Sequence, residues 1–138
     1  MIIRRADQDS ESGVLPGEEL FDAMTKYNEE LVKAGVMLDG AGLHPSSKGA
    51  RVRFGKEKPT VIDGPFTEAK ELIAGYTLVQ ADSLADVVEL VKKWPKEDGG
   101  GNVTIEIRRV AEPEDFGDEL TPELREQEEQ RRARSRGN

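Results

Sequence analysis

Two amphipathic helical stretches, each set between strand-like runs, constrain this chain more than any other feature. In "LPGEELFDAMTKYNEELVKAG", Leu20, Met24, Tyr27 and Leu31 recur at helical spacing and form one apolar stripe, widened by Phe21 and Ala34. Glu18 and Glu19 fall in the first turn, where the helix dipole favours negative charge, and Gly35 suits a left-handed cap. In "DSLADVVELVKKWP", Ser83 and Asp86 resemble a capping box, and Leu84, Val87, Val88, Val91 and Trp94 make the apolar face. "MIIRR" and "VMLD" flank the first helix as strands; "AGYTLVQ" and "VTIEIRRV" flank the second. Between the halves, "RVRF" and "TVID" alternate around "GKEKP" like a hairpin with a polar tip. "ADQDSESGV", "GAGLHPSSKGA" and "KEDGGGN" read as loops. The order β-α-β-(hairpin)-β-α-β predicts an α+β fold: a ferredoxin-like two-layer sandwich with an inserted β-hairpin and both helices on one face of the sheet.

The last strand raises the question of the other face. Val103, Ile105 and Ile107 belong under the helices, which leaves Thr104, Glu106 and Arg108 on the open side. If a partner covers that side, these polar groups must pair or line a space. The expectation is a homodimer packed through the open sheet face, with a polar-lined cavity between subunits that takes a small molecule.

Residues 1–112 make one α+β domain on this reading, and 113–138 a charged helical tail. The tail's helix begins with Thr121 as cap and Pro122 in the first turn, and after Leu124 it has almost nothing apolar to bury. A solvated helix is the plainer reading, a partner-embracing arm the other. The chain's 138 residues carry a net charge of -8, which disfavours nucleic acid and anionic membrane as partners. With no cysteine, disulfides, thiolate metal sites and cysteine nucleophiles are excluded. "MIIRRADQDS" is too short an apolar run for a signal peptide, and no later run approaches a membrane span, so a cytoplasmic protein is expected.

"TVIDGPFTEAKE" carries the candidate site. A mechanical account suffices for its four central letters: Gly64 tolerates the backbone that Pro65 imposes, Asp63 fixes the corner through a backbone N–H, and Phe66 plugs the core. The functional account makes Asp63 a half-buried general base or ligand anchor at the mouth of the intersubunit space. His44, the single histidine, is its acid–base companion if the two loops meet. Gly64, Pro65, Glu68, Lys70, Glu106 and Arg108 are the candidate ligand-binding residues around the pair. No spacing supports a metal, no dinucleotide or Walker loop is present, and no cofactor is expected.

The run "VIDGPFTEAKELIAGY", preceded by "GVMLDGAGLHPSS" and followed by "DFGDELTPELREQEEQ", resembles the DGPF branch of the YCII-related proteins over nearly the whole chain. The resemblance implies a ferredoxin-like fold of the dimeric α/β-barrel group in a bacterial, cytoplasmic protein. The family mostly lacks an assigned activity. A histidine and an aspartate are its suspected catalytic pair, a distant relative is linked to dechlorination of an aromatic ring, and some DGPF proteins are associated with extracytoplasmic-function sigma factors. In the wider family that histidine lies in the first helix. Here Glu18 to Ala34 contains none, so the dyad does not carry over, and His44 with Asp63 is a different pair. "MII" is also short beside the first strands of that group. Two functions follow as expectations: a small-molecule binder without chemistry, or a lyase or hydrolase using Asp63 and His44.

Overall fold

The structure is a computed structural model and describes residues 1–137. It divides into two compact units, Met1–Arg108 and Arg109–Asn138. The first is mixed α+β. Strands β1 (Ile2–Arg5), β2 (Met37–Gly42), β5 (Ile73–Val79) and β6 (Ile105–Ile107) form a four-stranded sheet in the order β2-β5-β1-β6. Every neighbouring pair in it is antiparallel. That order, with one helix in each crossover, is compatible with a ferredoxin-like α+β fold. Strands β3 (Ala50–Arg53) and β4 (Thr60–Asp63) pair antiparallel in a separate two-stranded sheet.

Register decides which side chains share a face. Ile2 lies opposite Ile107 on one side and Thr77 on the other, so these three project together; Arg4, opposite Ile105 and Gly75, joins them. Helix α2 (Glu18–Lys33) and helix α3 (Leu84–Val91) cover this face and touch each other. The Tyr27 hydroxyl donates to the Leu90 carbonyl at 2.9 Å, and its ring meets Trp94 edge-on at 5.4 Å. Ile2, Tyr27, Leu31 and Val87 are buried at the centre of this layer. Each fully buried large aliphatic side chain contributes about 2 kcal/mol. Ser83 caps α3, its hydroxyl accepting from the Asp86 N–H at 3.1 Å.

Several boundaries differ from the sequence reading. The acidic stretch after β1 holds a single helical turn, α1 (Gln8–Glu11), closed by a reciprocal cap between Asp7 and Ser10. Four polar residues have no apolar period to betray them. The segment read as a loop from Gly40 continues β2 through Gly42, because pairing with β5 overrides the poor strand preference of glycine. Strand β6 shrinks to three residues after Gly99 and Gly100, whose positive φ values of 56° and 62° turn the chain sharply. Phe21, Ala34 and Leu84, which the helical periods place on the apolar faces, are exposed.

The second unit contains a 3-10 stretch over Pro113–Glu119 and helix α4 (Pro122–Arg136). Thr121 caps α4 through the Leu124 N–H, and no residue of the helix is buried. Its order comes from ladders of charge: Glu128 accepts from both Arg131 and Arg132, and Arg132 reaches back to Glu112. Among the described residues no helix is long and apolar enough to cross a membrane.

Candidate ligand cavity

Gly40 and Gly42 of β2 pair with Thr77 and Gly75 of β5, so three glycines sit side by side on the helix-facing surface. A Cβ on Gly75 would lie 2.8 Å from the Ala41 carbonyl oxygen and one on Gly40 3.0 Å from Met37 Cε, whereas one on Gly42 would meet nothing within 4 Å. Opposite them, α2 presents Leu20, Met24 and Asn28. A cavity of about 1060 Å³ remains, open to solvent along one side.

Its deep end is polar. Arg4 extends from β1 and donates to both carboxylate oxygens of Asp98, at 2.6 and 3.1 Å, and to Asp7 at 2.9 Å. The Arg4 side chain is 13% exposed and that of Asp98 9%, so the pair is held largely away from water. The indole of Trp94 donates to the same Asp98 at 2.9 Å. Hydrogen bonding to Asp98 holds the Arg4 guanidinium above its ordinary value against the opposing effect of burial. Burial pushes the Asp7 carboxyl up, but the Ser10 N–H and Arg4 outweigh it and leave Asp7 below the usual carboxylate range. On the helix side, Asn28 Oδ1 is buried with no hydrogen-bond partner. The outer end is apolar: Val14, Leu15 and Phe21 line the cavity and are 60, 84 and 60% exposed.

The residues singled out from sequence scatter. His44 lies on the cavity lining, in the exposed stretch after β2. Asp63 closes β4 and is exposed in the single chain. Neither it nor Gly64, Pro65, Glu68 or Lys70 belongs to the lining. The DGPF corner is docked by backbone against the 3-10 turn Ser46–Lys48. The Gly64 N–H donates to the Gly49 carbonyl at 3.0 Å, and the Phe66 N–H to Ser46 Oγ at 2.9 Å. Ser46 in turn donates to Glu11. Phe66 does not enter the core; its ring carries the Arg51 guanidinium at 3.9 Å. Glu106 stands on the other face of the sheet with Arg5 at 3.2 Å and Arg108 at 3.5 Å. Lys70 is engaged through its carbonyl, which accepts from Arg5.

The sequence reading missed Arg4, Asp7, Asn28, Trp94 and Asp98 as a group. One signal was present: strand alternation puts Arg4 on the same face as Ile2, so an arginine had to be buried and had to find an acid. Nothing in the spacing said that the acid stood 94 residues away. Among the described residues, no group of three histidine or acidic side chains gathers as a metal site.

The fold is that of a small α+β protein with a half-open space between α2 and the sheet. A YCII-related domain model matches residues 1–112, and the chain belongs to the YCII-related family. It is similar to an uncharacterised protein of Rhizobium meliloti (strain 1021), with 28% identity over 75 residues, 54% of this chain and 60% of that one. The matched stretch is therefore less than two-thirds of the relative's length.

Proposed function

We propose that this protein binds a small molecule in the cavity between α2 and the sheet, and that it does so without chemistry of its own. The observation that carries the reading is the space itself, lined by Leu20 and Met24 of α2 and by β2 and β5, with Gly42 leaving room where a packed core would place an aliphatic side chain. The space, about 1060 Å³ and half open to solvent, is a cleft large enough for a small molecule. Binding without catalysis is favoured because His44 is on the lining while Asp63 is not. The proposal places the molecule in the DGPF branch of the family, as a homodimer of the dimeric α/β-barrel type joined through the open sheet face, where Arg5, Glu106 and Arg108 already pair among themselves.

Trp94 is the single tryptophan and lines the cavity, so its emission reports occupancy. A Cβ on Gly42 would meet nothing within 4 Å. Gly42→Leu therefore projects into the cavity without forcing the backbone. The wild-type protein should give a saturable change in Trp94 emission with 1-octanol, and Gly42→Leu should weaken it severalfold while melting no lower. An unsaturable, identical response in both proteins overturns the reading.

A further inference from the structure

Independently of the cavity, we infer that the β3–β4 hairpin of one copy is the docking surface for the acidic C-terminal unit of a second copy of this chain. The two strands pair only with each other, and all their residues are exposed, so neither face of this two-stranded sheet is covered. A hairpin of that kind is marginal in water by itself. Val52 lies opposite Val61, and with Ala50 they share one side of the hairpin. The two valines are 52 and 63% exposed, and Phe54, just past β3, is 77% exposed. Together they make an apolar surface rather than scattered side chains. The charge around it is the reverse of the molecule's. Between Lys48 and Lys58 stand five bases, Lys48, Arg51, Arg53, Lys56 and Lys58, against Glu57 alone, in a chain of net charge -8. That sign argues against hairpin meeting hairpin and selects an acidic occupant.

The chain carries such an occupant. From Glu112 to Glu129 nine acids stand against a single base, Arg125. Phe116 and Leu124 lie among them, 56 and 48% exposed, and no residue of α4 is buried. A helix that is polar all round takes its order from charge pairs or from a partner. The second unit is thus acidic around exposed apolar side chains, and the hairpin is basic around its own. All five apolar side chains are exposed in the single chain, and a second copy supplies the cover. Bringing Val52, Phe54 and Val61 against Phe116 and Leu124 removes apolar area from water on both sides, while the opposed charges set the orientation. A contact of so few side chains is weak in solution and is read best by covalent trapping.

The chain has no cysteine, so introduced thiols trap the contact without background. Val61→Cys is made in one full-length chain and Phe116→Cys in another of different mass. The two are mixed at low salt and treated with a short bismaleimide. The ratio of unlike to like cross-linked pairs should exceed the statistical value severalfold, and the unlike product should fall severalfold in molar salt. Adding Arg53→Glu with Lys56→Glu to the first chain should cause a similar fall. Adding Asp118→Lys with Glu119→Lys to the second chain should then restore the product. All of these positions are exposed, so circular dichroism should show each variant folded as the wild type is. A statistical mixture, no cross-link between chains, or a yield indifferent to salt and to the charge reversals overturns the inference. So does a cross-link within one chain in the doubled variant Val61→Cys, Phe116→Cys at high dilution, which would make the cover the chain's own.

Discussion

A Cβ on Gly64 would lie 1.6 Å from the Ser46 carbonyl oxygen, which no rotamer change relieves because the obstacle is backbone. Gly64 is thus required by close approach, and the corner that contains it is a docking joint. Gly64→Ala should separate β4 from the Ser46 turn and lower stability by on the order of 3 kcal/mol, the range of strained backbone sites; urea unfolding monitored by circular dichroism reads it. Asp63→Ala, one residue earlier, removes an exposed side chain and should change the same midpoint by less than about 0.5 kcal/mol. A large loss in Asp63→Ala would return the acid to the centre of the corner. The pair separates the two roles that the letters D and G could have played. The motif announces a constraint, and the constraint lies between Gly64 and a turn 18 residues earlier that sequence does not reveal as a neighbour.

The same difference between pattern and contact recurs among the elements. Strands β1 and β5 and helices α2 and α3 were legible because each carries a period, 2 or 3.6, that burial enforces. Tyr27, Leu31 and Val87 are buried where those periods put them. Where the period is interrupted, legibility ends: at Gly40–Gly42, strand by pairing alone; at α1, a turn made by a cap; and at Asp98, buried by an ion pair with Arg4 of β1. The Arg4–Asp98 pair joins β1 to the turn after α3, and cutting it leaves a largely buried guanidinium short of its main partner. Asp98→Ala should therefore cost on the order of 3 kcal/mol, whereas Arg4→Leu with Asp98→Leu together should cost less than the single change. A double-mutant cycle by thermal unfolding checks the coupling.

Helix α4 supplies the acid test at this scale. Hydrogen bonds from Arg131 and Arg132 hold the Glu128 carboxyl at about 2, below its ordinary 4.5. A depressed folded-state value means the contribution is complete above about pH 4.5 and is lost as pH falls through about 2. Because these side chains stand in solvent, salt weakens the effect. Proton titration of the Glu128 side chain by NMR should give a midpoint near 2 in low salt, rising toward 4.5 in molar salt or in Arg131→Gln with Arg132→Gln. A midpoint that ignores both changes would mean that the ladder does not form.

At the scale of the molecule, the two faces of the four-stranded sheet are unlike. One is covered by α2 and α3 and is hollow where the glycines align. The other carries Ile3 beside an arginine–glutamate–arginine row, Arg5, Glu106 and Arg108. A self-paired row of this kind suits a two-fold contact: it satisfies its own charges, so a second copy can approach without stranding them, while Ile3 provides the apolar area. If the proposed dimer uses this face, Glu106→Arg turns the row into three adjacent cations on each subunit and sets six against one another across the two-fold axis. The wild-type chain should then sediment as a dimer and Glu106→Arg as a folded monomer, with the change growing as salt is lowered. The helix-side cavity predicts something further. Its lining comes from one protomer, so the monomeric variant should still quench or shift Trp94 on adding 1-octanol. If binding vanishes with the dimer, the ligand space lies between subunits after all, beside the Asp63 corner, and the glycine row is only the place where helix and sheet fail to meet.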